Sequence, residues 1–143
     1  MIDGEDGVTH INVYSKAKTE IGRWLSNFAY SPFNIDGHTF LGVEGYWYYL
    51  TTGDISLKNH YGYKAKEEGR KREKTAEIDE DKIRQALDIK LKTYPDKMRE
   101  FAETSLPLTH YYEYGGKRVD AEYFWIIEHL ELRRKQLKDY YKL

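Results

Sequence analysis

The sequence contains no cysteine. Disulfides, thiol nucleophiles and Cys-ligated zinc are therefore excluded, and the composition suits a reducing compartment. No apolar run approaches the roughly 18–20 residues that a membrane-spanning helix needs, so no membrane partner is expected. The opening residues, MIDGEDG, are acidic and lack an apolar core, which speaks against a signal peptide. The expected location is the cytoplasm. Charge of one sign is not in excess either. Lys and Arg number 23 against 24 Asp and Glu, a net charge of −1, so the overall field favours neither nucleic acid nor membrane. The phosphate loop GxxxxGK[ST], the dinucleotide fingerprint GxGxxG, the nucleophile elbow GxSxG and the zinc motif HExxH are all missing. The five His, at 10, 38, 60, 110 and 129, show no ligand-like spacing. No metal and no cofactor are expected.

What is plentiful is tyrosine, at 14 residues. Its ring is apolar and its tip polar, which suits a core edged by wet recesses or a face that stacks on bases and sugars. At 143 residues the chain is long enough for one domain with a single core, and one domain over 1–143 is expected, with residues 1–9 a flexible lead.

The densest stretch runs from Trp24 to Tyr49 and holds two of the three Trp. Asp36-Gly37 lies between two apolar-rich arms, 33–35 and 38–41, which is a hairpin signal. VEGYWYYL at 43–50 then reads as the first turns of a helix, with Glu44 in the first turn among Trp24, Tyr46 and Trp47. A helix N-terminus stabilises a carboxylate, whereas crowding by rings pushes its pKa up. Glu44 is either a capping or salt-bridged residue or a group that does chemistry, as a general base or as a stabiliser of a cationic sugar centre.

Elsewhere, 10–15 alternates as a short strand, and 16–22 is a polar loop closed by Gly22. After the stop at Gly53, Asp54 or Ser56 caps a helix over 58–68 with Tyr61, Ala65 and Glu68 inward, and Gly69 ends it. Residues 64–74 carry nine charges with a net of +3. They form either a solvated helix end or an anion site. Asp79 caps a helix to Lys92 that buries Ile83, Ala86, Leu87 and Leu91. Pro95 opens a short helix with Met98, Phe101 and Ala102 inward. Residues 105–110 connect to a Tyr-rich Gly-Gly loop at 111–118, and 119–137 is the longest helix, with Val119, Tyr123, Ile126, Ile127, Leu130 and Leu137 on one stripe. The sum is a helix-rich α+β domain with a small sheet or hairpin.

The order of VYS at 13–15, WLSNFAYSPF at 24–33, IDGHTF at 35–40 and VEGYW at 43–47 resembles the NADAR (YbiA-like) family. Weaker matches follow in order: Gly69-Arg70, ALDIKL at 86–91 and LELR at 130–133. The resemblance implies a YbiA-like fold and an N-glycosidase. Family members cleave phosphorylated ribosylamino-pyrimidine intermediates of riboflavin synthesis, or remove ADP-ribose from nucleobases. The family's catalytic glutamate falls on Glu44, its SNF asparagine on Asn27 within Ser26-Asn27-Phe28, and its GR arginine on Arg70, with Lys71 beside it. Its late Trp-Gly pair falls nearest Tyr114-Gly115. Tyr14 and Asn27 are then expected to hold ribose, Arg70 and Lys71 phosphate, and Tyr46, Trp47 or Tyr114 to line or stack on the base. Departures fall at Gly45, where the family has His, and at 48–51, where its lysine is missing. The expectation is removal of ADP-ribose from ADP-ribosylated bases in DNA, or in RNA or guanosine, as a counter-defence or antitoxin-like activity. The alternatives are hydrolysis of riboflavin-pathway intermediates and non-catalytic binding of ADP-ribose or NAD.

Overall fold

Residues 4–143 are described in the computed structural model. They run β1 (Ile11–Asn12), α1 (Glu20–Leu25), β2 (Phe33–Ile35), β3 (His38–Phe40) and α2 (Val43–Thr52). A 3-10 turn (Ile55–Asn59) leads to α3 (Gly62–Arg70), α4 (Glu80–Thr93) and α5 (Pro95–Glu103). β4 (Leu108–Thr109), β5 (Tyr111–Tyr114), β6 (Lys117–Asp120) and α6 (Phe124–Tyr141) complete the chain. Among the described residues this is six α-helices with three two-stranded sheets, the helix-rich α+β class that the sequence implies. Contacts gather it into two compact units, Asn27–Thr93 and a discontinuous one of residues up to Ser26 with Tyr94–Leu143.

In the 27–93 unit, Asp36 and Gly37 take positive φ values of 54° and 78°, the primed turn that matches strand twist. The register Phe33↔Phe40 puts both rings on the buried side. Tyr46 of α2 meets both edge-on and donates its hydroxyl to Asp36 at 2.9 Å. Asp79 caps α4, its carboxylate accepting from the Lys82 amide, and Ile83, Ala86, Leu87 and Leu91 are buried as their spacing requires. The helix expected over 58–68 does not form as one piece. Asp54 accepts from the Ser56 amide and caps the short 3-10 turn, and the chain restarts at Gly62, whose φ of +58° breaks helical continuity. Tyr61 is exposed rather than inward. Gly69 lies inside α3, not past its end: a Cβ there would fall on the Tyr48 ring, so only glycine lets α3 close on α2.

In the other unit, β1 pairs in parallel with β4 inside what reads as a mere connector. Asn12 is buried because its side chain does backbone work: it accepts from the Tyr111 amide and donates to the Tyr111 carbonyl, each at 3.0 Å. The expected loop at 16–22 turns into α1 at Glu20, with Thr19 accepting from the Gly22 amide at 3.0 Å. Residues 1–3 of the expected flexible lead lie outside the described residues. From Asp6 on it is anchored, since that buried carboxylate accepts from the Asn12 and Lys18 amides at 2.9 Å each. The Gly-Gly loop is a hairpin, β5–β6, with Gly115 and Gly116 both at positive φ. Val119 therefore lies on an exposed strand, and the last helix starts only at Phe124. Its basic end does more than face the macrodipole. Arg134 donates to the Leu106 carbonyl at 2.8 Å and Lys138 to the Ala102 carbonyl at 2.8 Å, tying α6 to the end of α5.

Candidate active site

Glu44 is the second residue of α2. The preceding Gly42 is fully extended and offers no side-chain cap, so the helix start is held by the backbone: the Glu44 amide donates to the Asn27 carbonyl at 3.0 Å. That bond pins Asn27 to the base of the helix that carries Glu44. The Glu44 side chain is crowded by protein yet keeps partial exposure, and among the described residues its carboxylate has neither a hydrogen-bond nor an ion-pair partner. Burial pushes its pKa from 4.5 to about 7, while the charges of Lys66 and then Arg70 pull it down. Desolvation wins over two cations and a helix N-terminus, which leaves a carboxylate poised to exchange protons near neutral pH.

Those two cations come from α3. Positions 66 and 70 are one helical turn apart and share a face. The pairing of the charge cluster sorts its members. Lys64 pairs with Glu67 and Glu68, Lys71 with Glu68 at 2.8 Å, Arg72 with Asp54 at 2.6 Å, and Lys74 with Glu77 at 3.0 Å. Lys66 and Arg70 make no ion pair among the described residues. Lys66 instead sits over the Phe28 ring at 5.8 Å. The segment is thus neither a uniformly solvated end nor a uniform anion site: its outer cations are matched, and the two that bear on Glu44 are not.

The residues expected from the sequence separate accordingly. Asn27, Phe28, Glu44, Trp47, Arg70 and Lys71 lie with Tyr46 in the 27–93 unit, and Tyr14, Ser26, Tyr114 and Gly115 belong to the other. Tyr46 is a correction. It is fully buried, and two positions from Glu44 is about 200° around a helix, so it faces the core. Lys71 is engaged by Glu68 and caps the end of α3. Gly45 is buried against the backbone at Leu57 and His60, which makes it a packing residue. Tyr48 covers Gly69 and Thr51 is buried, so neither stands in the open place of a missing lysine. In the other unit Tyr14 meets Tyr112 edge-on at 5.6 Å, and Tyr112 lies 6.1 Å from the exposed Tyr114 at the Gly115 turn. Ser26 is buried as the C-cap of α1.

Lys66 was not singled out in the sequence. Its signal, a lysine one turn before Arg70, was hidden among nine charges that look alike until the ion pairs are known. Lys90, within the ALDIKL match on α4, is a buried amine that desolvation pushes down to about 7. Removing the Lys66 charge takes away the larger of the two influences that lower Glu44. In Lys66→Met the Glu44 titration is expected to move to higher pH, read by side-chain carboxyl NMR, with weaker binding of a phosphorylated ligand by about 10-fold. An unchanged titration would separate Lys66 from Glu44.

Among the described residues no group of His, Asp and Glu is placed to hold a metal ion, and no helix is long and apolar enough to cross a membrane. No family model matches the chain, and no curated protein matches it. Among solved structures, the NMR structure of the E. coli protein YbiA matches with a TM-score of 0.66, over 91% of this chain and 89% of that one, at 20% sequence identity. The chain has the YbiA-like fold that its motifs imply.

Proposed function

We propose that this chain is an N-glycosidase that hydrolyses a base–ribose bond, removing ADP-ribose from ADP-ribosylated bases in DNA, with Glu44 as the catalytic carboxylate. The observation that carries this reading is the unpaired, crowded Glu44 with its pKa near 7, set against two unpaired cations. Cleavage breaks the bond between C1′ of the ribose and the base nitrogen, and the electron pair leaves with the base. Water supplies the new oxygen on C1′. Glu44 accepts the proton that this water loses and returns it through solvent to the departing base nitrogen, which regenerates the carboxylate. The same ionised carboxylate favours the positive charge that develops on the sugar ring before water attacks. Lys66 and Arg70 supply positive charge for the diphosphate of ADP-ribose. Asn27, tied to the start of α2 by its backbone bond to Glu44, offers an amide to the ribose, and Phe28, under the Lys66 ammonium, offers a ring.

The test is direct. An ADP-ribosylated oligonucleotide and free ADP-ribosylated guanosine are incubated with the protein, and released ADP-ribose is separated by chromatography. Release is expected, with a rate that rises with pH through about 7 as Glu44 ionises. No release from either substrate at any pH overturns the reading.

A further inference from the structure

Tyr30, Tyr61 and Tyr63 are the exposed large aromatics of the 27–93 unit, at 60%, 46% and 68% exposure. Tyr30 and Tyr61 are in edge contact, ring centroids 4.9 Å apart, and both side chains stay exposed. Their location is specific. The Ser31 amide donates to the Leu41 carbonyl at 2.9 Å, and the Leu41 amide to the Lys58 carbonyl at 3.2 Å. A Cβ on Gly42 would lie 3.4 Å from the Tyr61 Cβ and 2.7 Å from the Ala29 carbonyl oxygen. Two stretches distant in sequence, 29–31 and 58–61, thus converge on Leu41-Gly42, immediately before the helix that carries Glu44. Lys58 adds a cation with no ion pair among the described residues.

The geometry points to a stacking platform for single-stranded nucleic acid, in which Tyr30 and Tyr61 take bases flanking the one presented to Glu44, and Lys58 takes a backbone phosphate. Two features select this occupant. Exposed aromatic rings suit bases of any sequence, and an unmatched lysine three residues before Tyr61 supplies the charge that a phosphate chain needs. A duplex hides its base faces in the stack and cannot use such a platform. The inference rests on the reading of Glu44 as the site of a modified base, and it makes a strand, not a free nucleotide, the favoured ligand. The near-neutral net charge is no obstacle, because stacking rather than long-range attraction holds the strand.

The test measures fluorescence anisotropy of a labelled, unmodified oligothymidine of about ten nucleotides, bound to Glu44→Gln protein so that hydrolysis plays no part. Binding at least about 10-fold tighter than thymidine monophosphate or the matching duplex is expected. Adding Tyr30→Ala and Tyr61→Ala together should weaken strand binding by about 10-fold or more, with the thermal midpoint checked alongside. Tyr61→Trp should retain it, and Lys58→Ala should reduce the slope of log affinity against log salt by about 0.7. Equal binding of strand, duplex and mononucleotide overturns the platform, and so does unchanged strand binding in the double variant. If that variant does not fold, the ligand comparison and the Lys58→Ala salt slope decide. Because the probe carries no ADP-ribose, the two proposals fail separately. A strand that binds as described, with no ADP-ribose released from any substrate, removes only the hydrolase; release without strand preference removes only the platform.

Discussion

Glu44→Gln is expected to slow ADP-ribose release by about 10³-fold or more, the scale on which loss of a positioned base and of transition-state charge stabilisation is felt. The same substitution should stabilise the fold. In the folded chain burial holds the carboxyl up at about 7, against 4.5 without it. Below pH 4.5 Glu44 is protonated in both states and behaves like Gln, so the variants should unfold alike. Between 4.5 and about 7 the unfolded chain ionises Glu44 and the folded chain does not, so stability is lost as pH rises and the loss levels off above 7. Gln is free of that loss. Its advantage at pH 8 is about 1–3 kcal/mol, reduced from the full shift because the carboxylate keeps some solvent contact. Urea unfolding at pH 4 and pH 8, beside initial rates, separates the outcomes. Equal rates would take Glu44 out of the chemistry, and equal stabilities at pH 8 would contradict its desolvation.

The second large effect is on the fold. Gly45→Ala should destabilise the protein by about 3 kcal/mol, and Gly45→His by more. In an open helix alanine would gain about 1 kcal/mol over glycine. Here the new Cβ would lie 2.6 Å from the Leu57 carbonyl oxygen and 2.8 Å from that of His60. Both are backbone atoms, so no rotamer change relieves the overlap. α2 must move away from the 3-10 turn, and the clash outweighs the propensity gain. Gly53→Ala tests the specificity of this claim. That position has open space and a φ of +78°, so its cost comes from backbone strain alone and should be near 1 kcal/mol. A Gly45→Ala protein as stable in urea as the parent would mean that the two carbonyls yield easily. The resemblance presents Gly45 as a pocket residue changed from His; the packing presents it as the point where α2 can lie against the chain that follows it.

The site was legible in part. Glu44 stood out because one residue carried both a motif position and a first-turn position, and both depend only on nearby sequence. Tyr46 faces the core because an aromatic close to a carboxylate in sequence points elsewhere on a helix. Lys66 was hidden because the value of a cation depends on which carboxylates its neighbours have taken. Val119 and Tyr123 fit a helical stripe, yet α6 starts only at Phe124, because Gly115-Gly116 turns the chain into a hairpin that takes residues up to Asp120.

By itself the sequence determined the pieces whose cause is local. The Asp36-Gly37 turn follows from backbone sterics, α4 from its Asp79 cap and apolar period, α5 from Pro95, and the place of Glu44 in the first turn of α2 from the stretch around it. The tertiary structure decided what local preference does not encode. Closure of α3 on α2 requires the bare backbone of Gly69 beneath Tyr48. The assignment of each cation requires knowing every acidic group within reach. Dihedral preference and periodicity act over a few residues, whereas desolvation and ion pairing act through space. The shift of Glu44 toward neutrality belongs to the second kind, since it is the balance of surrounding protein against the charges of Lys66 and Arg70.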